Sequence, residues 1–164
     1  MALNDCLHRR DPPERLAQDH RDQPDRTMAH LPGSARSMAQ SGGGRIINIG
    51  SISGKRPLAQ RTPYCASKMG LLGLTRSLAQ ELGPANINVN CISPGPVHTA
   101  RLDLIADKAG MTIDDLLATL QKEVPIGRIP EGHDIAALCV YLASDAGRNI
   151  TGQDFTVDGG LYMN

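Results

Sequence analysis

Tyr64 and Lys68 stand four residues apart, and Ser51 precedes the tyrosine by thirteen. A phenol, with an ordinary pKa of ~10, is a poor base at neutral pH. An ammonium held nearby favours the phenolate, so the pair can take a proton from an alcohol or give one to a carbonyl. A serine hydroxyl in the same crevice can hydrogen-bond the reacting oxygen. A proton on oxygen that moves together with a hydride on carbon implies a nicotinamide partner and alcohol/ketone interconversion. A tyrosine and lysine at this spacing are also common on solvated helices, so the elements around them decide the case.

Those elements are well marked. Ile46, Ile47 and Ile49 form a β-branched run of the kind buried on both faces of a parallel sheet, over Arg45–Ile49. Gly50 ends the strand and leaves Ser51 as the first hydroxyl beyond its carboxyl end, where open α/β sheets bind ligands. Thr62 and Pro63 read as N-cap and first residue of a helix that runs to about Leu82. Tyr64 and Lys68 then project from one helix face. Leu71, Leu74, Leu78 and Leu82 line one side, Leu72 and Ala79 widen it, and Gly83-Pro84 stops the helix.

A second strand, residues 87–93, leads into Pro94-Gly95, a turn expected to free backbone groups from the ladder. Residues 100–123 suggest two short helices, the second capped by Thr112. A further helix runs from Pro130-Glu131 to about Ala143 with Ile135, Leu138, Cys139 and Leu142 as its buried stripe, and 149–160 closes the chain as a strand. Strand, helix, strand, helix, strand argues for an α/β layer with parallel strands. Gly42-Gly43-Gly44 precedes a strand instead of following one, so it is a flexible turn and not a phosphate loop.

With the serine strand, the Tyr-x-x-x-Lys helix and the run SPGPVHT on the page, residues 42 to 160 resemble the second half of the short-chain dehydrogenase/reductase family. The resemblance implies an incomplete Rossmann-like, doubly wound parallel sheet of about three strands with flanking helices. It implies an NAD(P)-dependent oxidoreductase acting on a small alcohol or ketone, with NAD and NADP not distinguished. Carried over, Ser51 orients substrate, Tyr64 is the acid/base, and Lys68 holds the nicotinamide ribose and lowers the tyrosine pKa. Pro94 and Gly95 match the Pro-Gly motif; backbone groups at Val97 hold the carboxamide and Thr99 adds a hydroxyl contact. Ser53 and Gln60 are expected beside the substrate, under a mobile lid at about 100–123. In the family the Tyr64 helix packs on its copy, which implies a homo-oligomer or pairing with a homologous subunit; the last strand is often an edge element in tetramer contacts.

The first half of the family pattern has no match. No Thr-Gly-x-x-x-Gly-x-Gly turn, no Asn-Asn-Ala-Gly strand and no catalytic asparagine before the serine strand occurs in the chain. The expectation is therefore impaired cofactor binding and an apolar edge left unpaired at Arg45–Ile49, with a non-catalytic truncated remnant that pairs with homologous subunits as the alternative. Residues 1–41 are rich in Asp, Arg, Pro, His and Gln without a period and read as a disordered or weakly helical tail, in which 34–41 is open to a last helical turn or two; 42–164 is the partial domain. His8, His20 and His30 lack metal-ligand spacing, and Cys6, Cys65, Cys91 and Cys139 form no C-x-x-C pair, so no metal or disulfide is expected. Zero net charge gives no footprint for nucleic acid or an anionic membrane, and without an apolar leader the cytoplasm is the default.

Overall fold

The computed structural model of the chain describes residues Gly33 to Met163; Cys6, His8, His20, His30 and the rest of the expected tail before Gly33 lie outside them. Among the described residues three strands form one parallel sheet, β1 (Gly44–Ile49), β2 (Ile87–Pro94) and β3 (Asp154–Val157), in that spatial order. The helices are α1 (Gly33–Gln40), α2 (Thr62–Leu82), α3 (Ala100–Ala109), α4 (Ile113–Glu123) and α5 (Gly132–Ala143). The α/β class, the parallel strands and the flanking helices are those the strand–helix alternation implied.

The centre is β2, buried along nearly its whole length. Its side chains alternate between two faces. On one, Ile87 and Val89 pack with Ala35 of α1 and Ala79 and Leu82 of α2 into the main core. On the other, Asn88 and Asn90 are buried but satisfied. The Asn88 amide donates to the carbonyls of Arg148 (3.1 Å) and Ile150 (3.0 Å), and Asn90 donates to Ile150 O (2.7 Å) and accepts from Gln153 N (3.1 Å). Buried amides bonded in this way cost little and fix the chain after α5 against the sheet.

Several local expectations shift. β1 is not buried on both faces: it pairs only with β2, and Ile49 is 46% exposed, because no strand covers its outer edge among the described residues. The N-cap of α2 is Arg61, not Thr62; the Arg61 carbonyl already accepts from Cys65 N (2.9 Å), and no side chain caps the end. The buried stripe of α2 runs through Cys65, Leu72, Thr75, Ala79 and Leu82, while Leu74 faces outward. Thr75 belongs to that stripe because its hydroxyl accepts from the Asn48 amide of β1 (2.9 Å) and donates to Leu71 O (2.7 Å). On α5 only Leu142 is fully buried; Ile135, Leu138 and Cys139 are half-buried.

Residues 33–40 form the helical turns to which 34–41 was open, packed with Ala35 2% exposed, and a turn follows before β1. That turn needs glycine at Gly43: its φ is +138°, and a Cβ there would sit 2.5 Å from Asn86 O. Thr112 caps α4 as expected, accepting from Asp115 N (3.1 Å). A capping box opens α5: the Glu131 N–H donates to Asp134 (2.8 Å) and holds that carboxyl below its ordinary pKa.

Candidate active site

The carboxyl ends of β1 and β2 and the start of α2 meet beneath α3 and α4, enclosing a cavity of about 560 Å³. That is the usual size for a small-molecule site. Ser51 enters it from the end of β1 as the N-cap of a short 3-10 turn, Ile52–Gly54. Its Oγ accepts from Ser53 N (3.1 Å), which fixes the oxygen and leaves the hydroxyl proton free to donate. Tyr64, on the first turn of α2, lines the same cavity. Lys68 stands one turn along, its ammonium 5.8 Å from the Tyr64 ring centroid and donating to Ile49 O at 2.9 Å. A second cation flanks the phenol: the Arg101 guanidinium of α3 lies 5.3 Å from the ring centroid.

The loop between Ser51 and Tyr64 is tied down by a group that composition and spacing left unmarked. Lys55, just past the 3-10 turn, ion-pairs with Asp154 of β3 at 2.8 Å and donates to Thr156 Oγ1 at 2.7 Å. Both charged side chains are at most 10% exposed. Ser93, at the end of β2, donates to the same carboxylate (2.6 Å), and Lys55 also lies 5.1 Å from the Tyr162 ring centroid. Cys91 is fully buried beside this cluster; burial first, then the Asp154 charge, pushes its thiol pKa up.

A family model described as enoyl-(acyl carrier protein) reductase matches residues 26–162. A solved structure of a putative short-chain alcohol dehydrogenase from Sinorhizobium meliloti superposes with a TM-score of 0.69 at 37% identity, over 77% of this chain and 48% of that one. The chain belongs to the short-chain dehydrogenase/reductase family. The 3-oxoacyl-(acyl-carrier-protein) reductase FabG of Haemophilus influenzae is 41% identical over 128 residues, which are 78% of this chain and 50% of that protein. Sorbitol-6-phosphate 2-dehydrogenase SrlD from Erwinia amylovora superposes with a TM-score of 0.72 at 32% identity, over 79% and 53% of the two chains. The chain thus spans about half the length of the relatives it matches.

For a short-chain dehydrogenase/reductase, the residues expected at the site are partly gathered and partly not. Ser51, Ser53, Tyr64, Gly95, Val97 and Thr99 all line the cavity. Lys68 stands behind Tyr64, outside the lining. Pro94 is the last residue of β2, and Gln60 is exposed in the left-handed region at φ +60°; neither forms part of the wall. Gly95 does not free its backbone from the ladder, as the turn motif had suggested. Its N–H donates to Val157 O (3.0 Å), and a Cβ would sit 2.7 Å from the Asp158 Cβ, so glycine there serves close approach to β3. Residues not foreseen at the site are Arg56 and Arg61 in the loop before Tyr64, and Arg101 beside it. Two arginines in six residues of RPLAQR were the available signal.

No helix among the described residues is long and apolar enough to cross a membrane. No cluster of His, Cys, Asp or Glu among them is arranged to hold a metal ion.

Proposed function

We propose that this chain supplies the substrate and nicotinamide half of an NAD(P)-dependent oxidoreductase that interconverts an alcohol and a ketone. The observation that carries the reading is that Ser51 and Tyr64 line one cavity, with the Lys68 ammonium beside the phenol ring. In reduction, the Tyr64 hydroxyl gives its proton to the carbonyl oxygen and becomes phenolate; in oxidation, the phenolate takes the alcohol proton and becomes hydroxyl again. Ser51, whose Oγ accepts from Ser53 N, donates its hydroxyl proton to the same oxygen and sets its position. Lys68 has three ammonium donors and uses one on Ile49 O, so two are available to a ribose diol. Val97 and Thr99, which line the same cavity, suit a carboxamide. A bound nicotinamide supplies the hydride. The α3–α4 segment acts as the lid that excludes water.

The pyrophosphate contacts belong to a glycine turn that these 164 residues do not contain. We infer that turnover requires that half of the fold. A chimera joining the preceding half of the Haemophilus reductase to this chain at Gly43 tests the assignment. The expected outcome is NADPH- or NADH-dependent reduction of a small ketone that falls at least about 100-fold in Tyr64→Phe. A folded chimera whose rate is unchanged by Tyr64→Phe sinks it.

A second reading rests on the outer edge of β1, unpaired among the described residues, and the exposed Ile49 and Leu74. On it the chain is non-catalytic and acts by pairing with homologous subunits through that edge or α2. Co-expression with a full-length relative, followed by size-exclusion of the mixture, tests it; separate elution would exclude it.

A further inference from the structure

Four charged side chains line the cavity, and three of them are arginines: Arg56, Arg61 and Arg101 stand against Glu123 alone. Arg56 is already spoken for, pairing with Glu123 of α4 at 3.6 Å. Arg61 and Arg101 have no carboxylate partner among the described residues. The acid nearest Arg101 in sequence, Asp103, pairs instead with His98 at 3.6 Å. Both line the cavity that Tyr64 lines: Arg101 lies over the Tyr64 ring, and Arg61 is the N-cap residue of the helix that carries Tyr64. A guanidinium is always charged and presents a planar fork matched to carboxylate or phosphate oxygens. Apart from Ser51, Ser53, Tyr64 and Thr99, most of the other lining side chains are apolar, among them Leu58, Leu102, Ile105, Leu116, Leu120 and Leu161.

Resting on the reading of this cavity as the substrate site, we propose that the substrate is an alcohol or ketone bearing an anionic group, carboxylate or phosphate, on an apolar skeleton, and that Arg61 and Arg101 hold the anion. The leucine and isoleucine side chains take the hydrocarbon, and a cationic substrate is excluded by like charge. Arg61 and Arg101 are specificity-determining residues on this assignment, while the chemistry stays with Ser51 and Tyr64.

The test uses the full chain without coenzyme, so that it reads binding and not turnover. Chemical-shift titration of cavity methyl groups at low salt compares octanoate, octyl phosphate and octanamide, which share a chain and differ in the head group. Both anions, or one of them, are expected to bind at least about tenfold tighter than octanamide, and the tighter one tells carboxylate from phosphate. Arg61→Gln and Arg101→Gln should each remove roughly three- to tenfold of that preference without weakening octanamide, because both groups are partly solvated. Arg56→Gln should remove less, since Glu123 already neutralises it. Octanamide binding as tightly as both anions overturns the proposal, and so does a preference that survives in the folded Arg61→Gln/Arg101→Gln double variant. Either result leaves the hydride-transfer reading standing on the chimera assay. Failure of that assay, in turn, leaves an anion preference measured here intact.

Discussion

β1 and β3 flank the same central strand, yet they are held by different means. β1 pairs with β2 over six Cα partners and β3 over four, so backbone pairing favours β1. Side chains reverse the order. At β3 a single carboxylate, Asp154, gathers Lys55 and Ser93, and Thr156 takes a further donor from Lys55. The Asp158 carboxylate just beyond accepts from Gly160 N (2.9 Å) and Tyr162 N (2.7 Å). Among the described residues, the outer edge of β1 is bare, Ile49 is exposed, and Arg45 Nε is the buried side-chain nitrogen left without a partner. The four-residue strand is therefore the better anchored one. The catalytic loop draws its order from that side: Lys55 ties the segment between Ser51 and Tyr64 to β3, across about a hundred positions of sequence.

The largest effect should come from breaking that anchor. Asp154→Ala leaves a nearly buried ammonium and the Ser93 hydroxyl without their acceptor, a loss of about 3–5 kcal/mol in urea denaturation. Replacing both partners, Lys55→Met with Asp154→Leu, should recover most of it, because an apolar pair carries no desolvation cost. A loss under about 1 kcal/mol for Asp154→Ala would show that β3 is held by its ladder alone.

Cys91 reports on the same side by its silence. It lies fully buried on β2 under the Asp154 cluster, with its thiol pKa raised chiefly by burial. Disulfide-exchange reagents should modify it roughly 100-fold more slowly than half-buried Cys139 on α5, equivalent to about 2.7 kcal/mol of opening free energy. The sign with pH follows from the direction of the shift. A raised thiol pKa contributes stability that is complete below the ordinary thiol value and is lost as pH climbs from there through the folded value. Labelling should accelerate across that alkaline window beyond the rise of the Cys139 control.

The difference between the two edges also marks what was legible in the sequence. Local signals carried: the β-branched run of β1, Gly50 as its stop, the helix carrying Tyr64 and Lys68, Thr112 as a cap, and the Pro-Gly end of β2 were read from neighbours in the chain. Long-range pairing did not carry. Lys55 looked like any loop lysine because its acceptors lie on a strand about a hundred residues later. Gly95 looked like a turn glycine until Asp158 came up against it. Leu74 fell on a leucine stripe by spacing, but the buried face is set by where Asn48 meets Thr75. The arginines of the cavity were visible as letters, and only the fold brings them to one cavity, with α3 setting Arg101 over the Tyr64 ring.

The smallest effect belongs to the bare edge and discriminates best between an open and a covered β1. Ile49→Lys places a charge on an edge residue whose side chain is 46% exposed. If the edge faces water, little burial is lost, and stability should stay within about 0.5 kcal/mol of the parent while self-association in sedimentation velocity falls, since an edge lysine disfavours strand addition. If a second copy or a homologous subunit covers β1 in solution, the same lysine is forced into an apolar contact. Stability would then drop by more than about 1.5 kcal/mol and depend on protein concentration. The substitution leaves the Ile49 carbonyl in place, so the Lys68 hydrogen bond survives it and the phenol keeps its neighbouring ammonium. A large loss therefore reads coverage of the edge and not damage to the site, and it would move β1 from the weakly held side of the sheet to the side held by a partner.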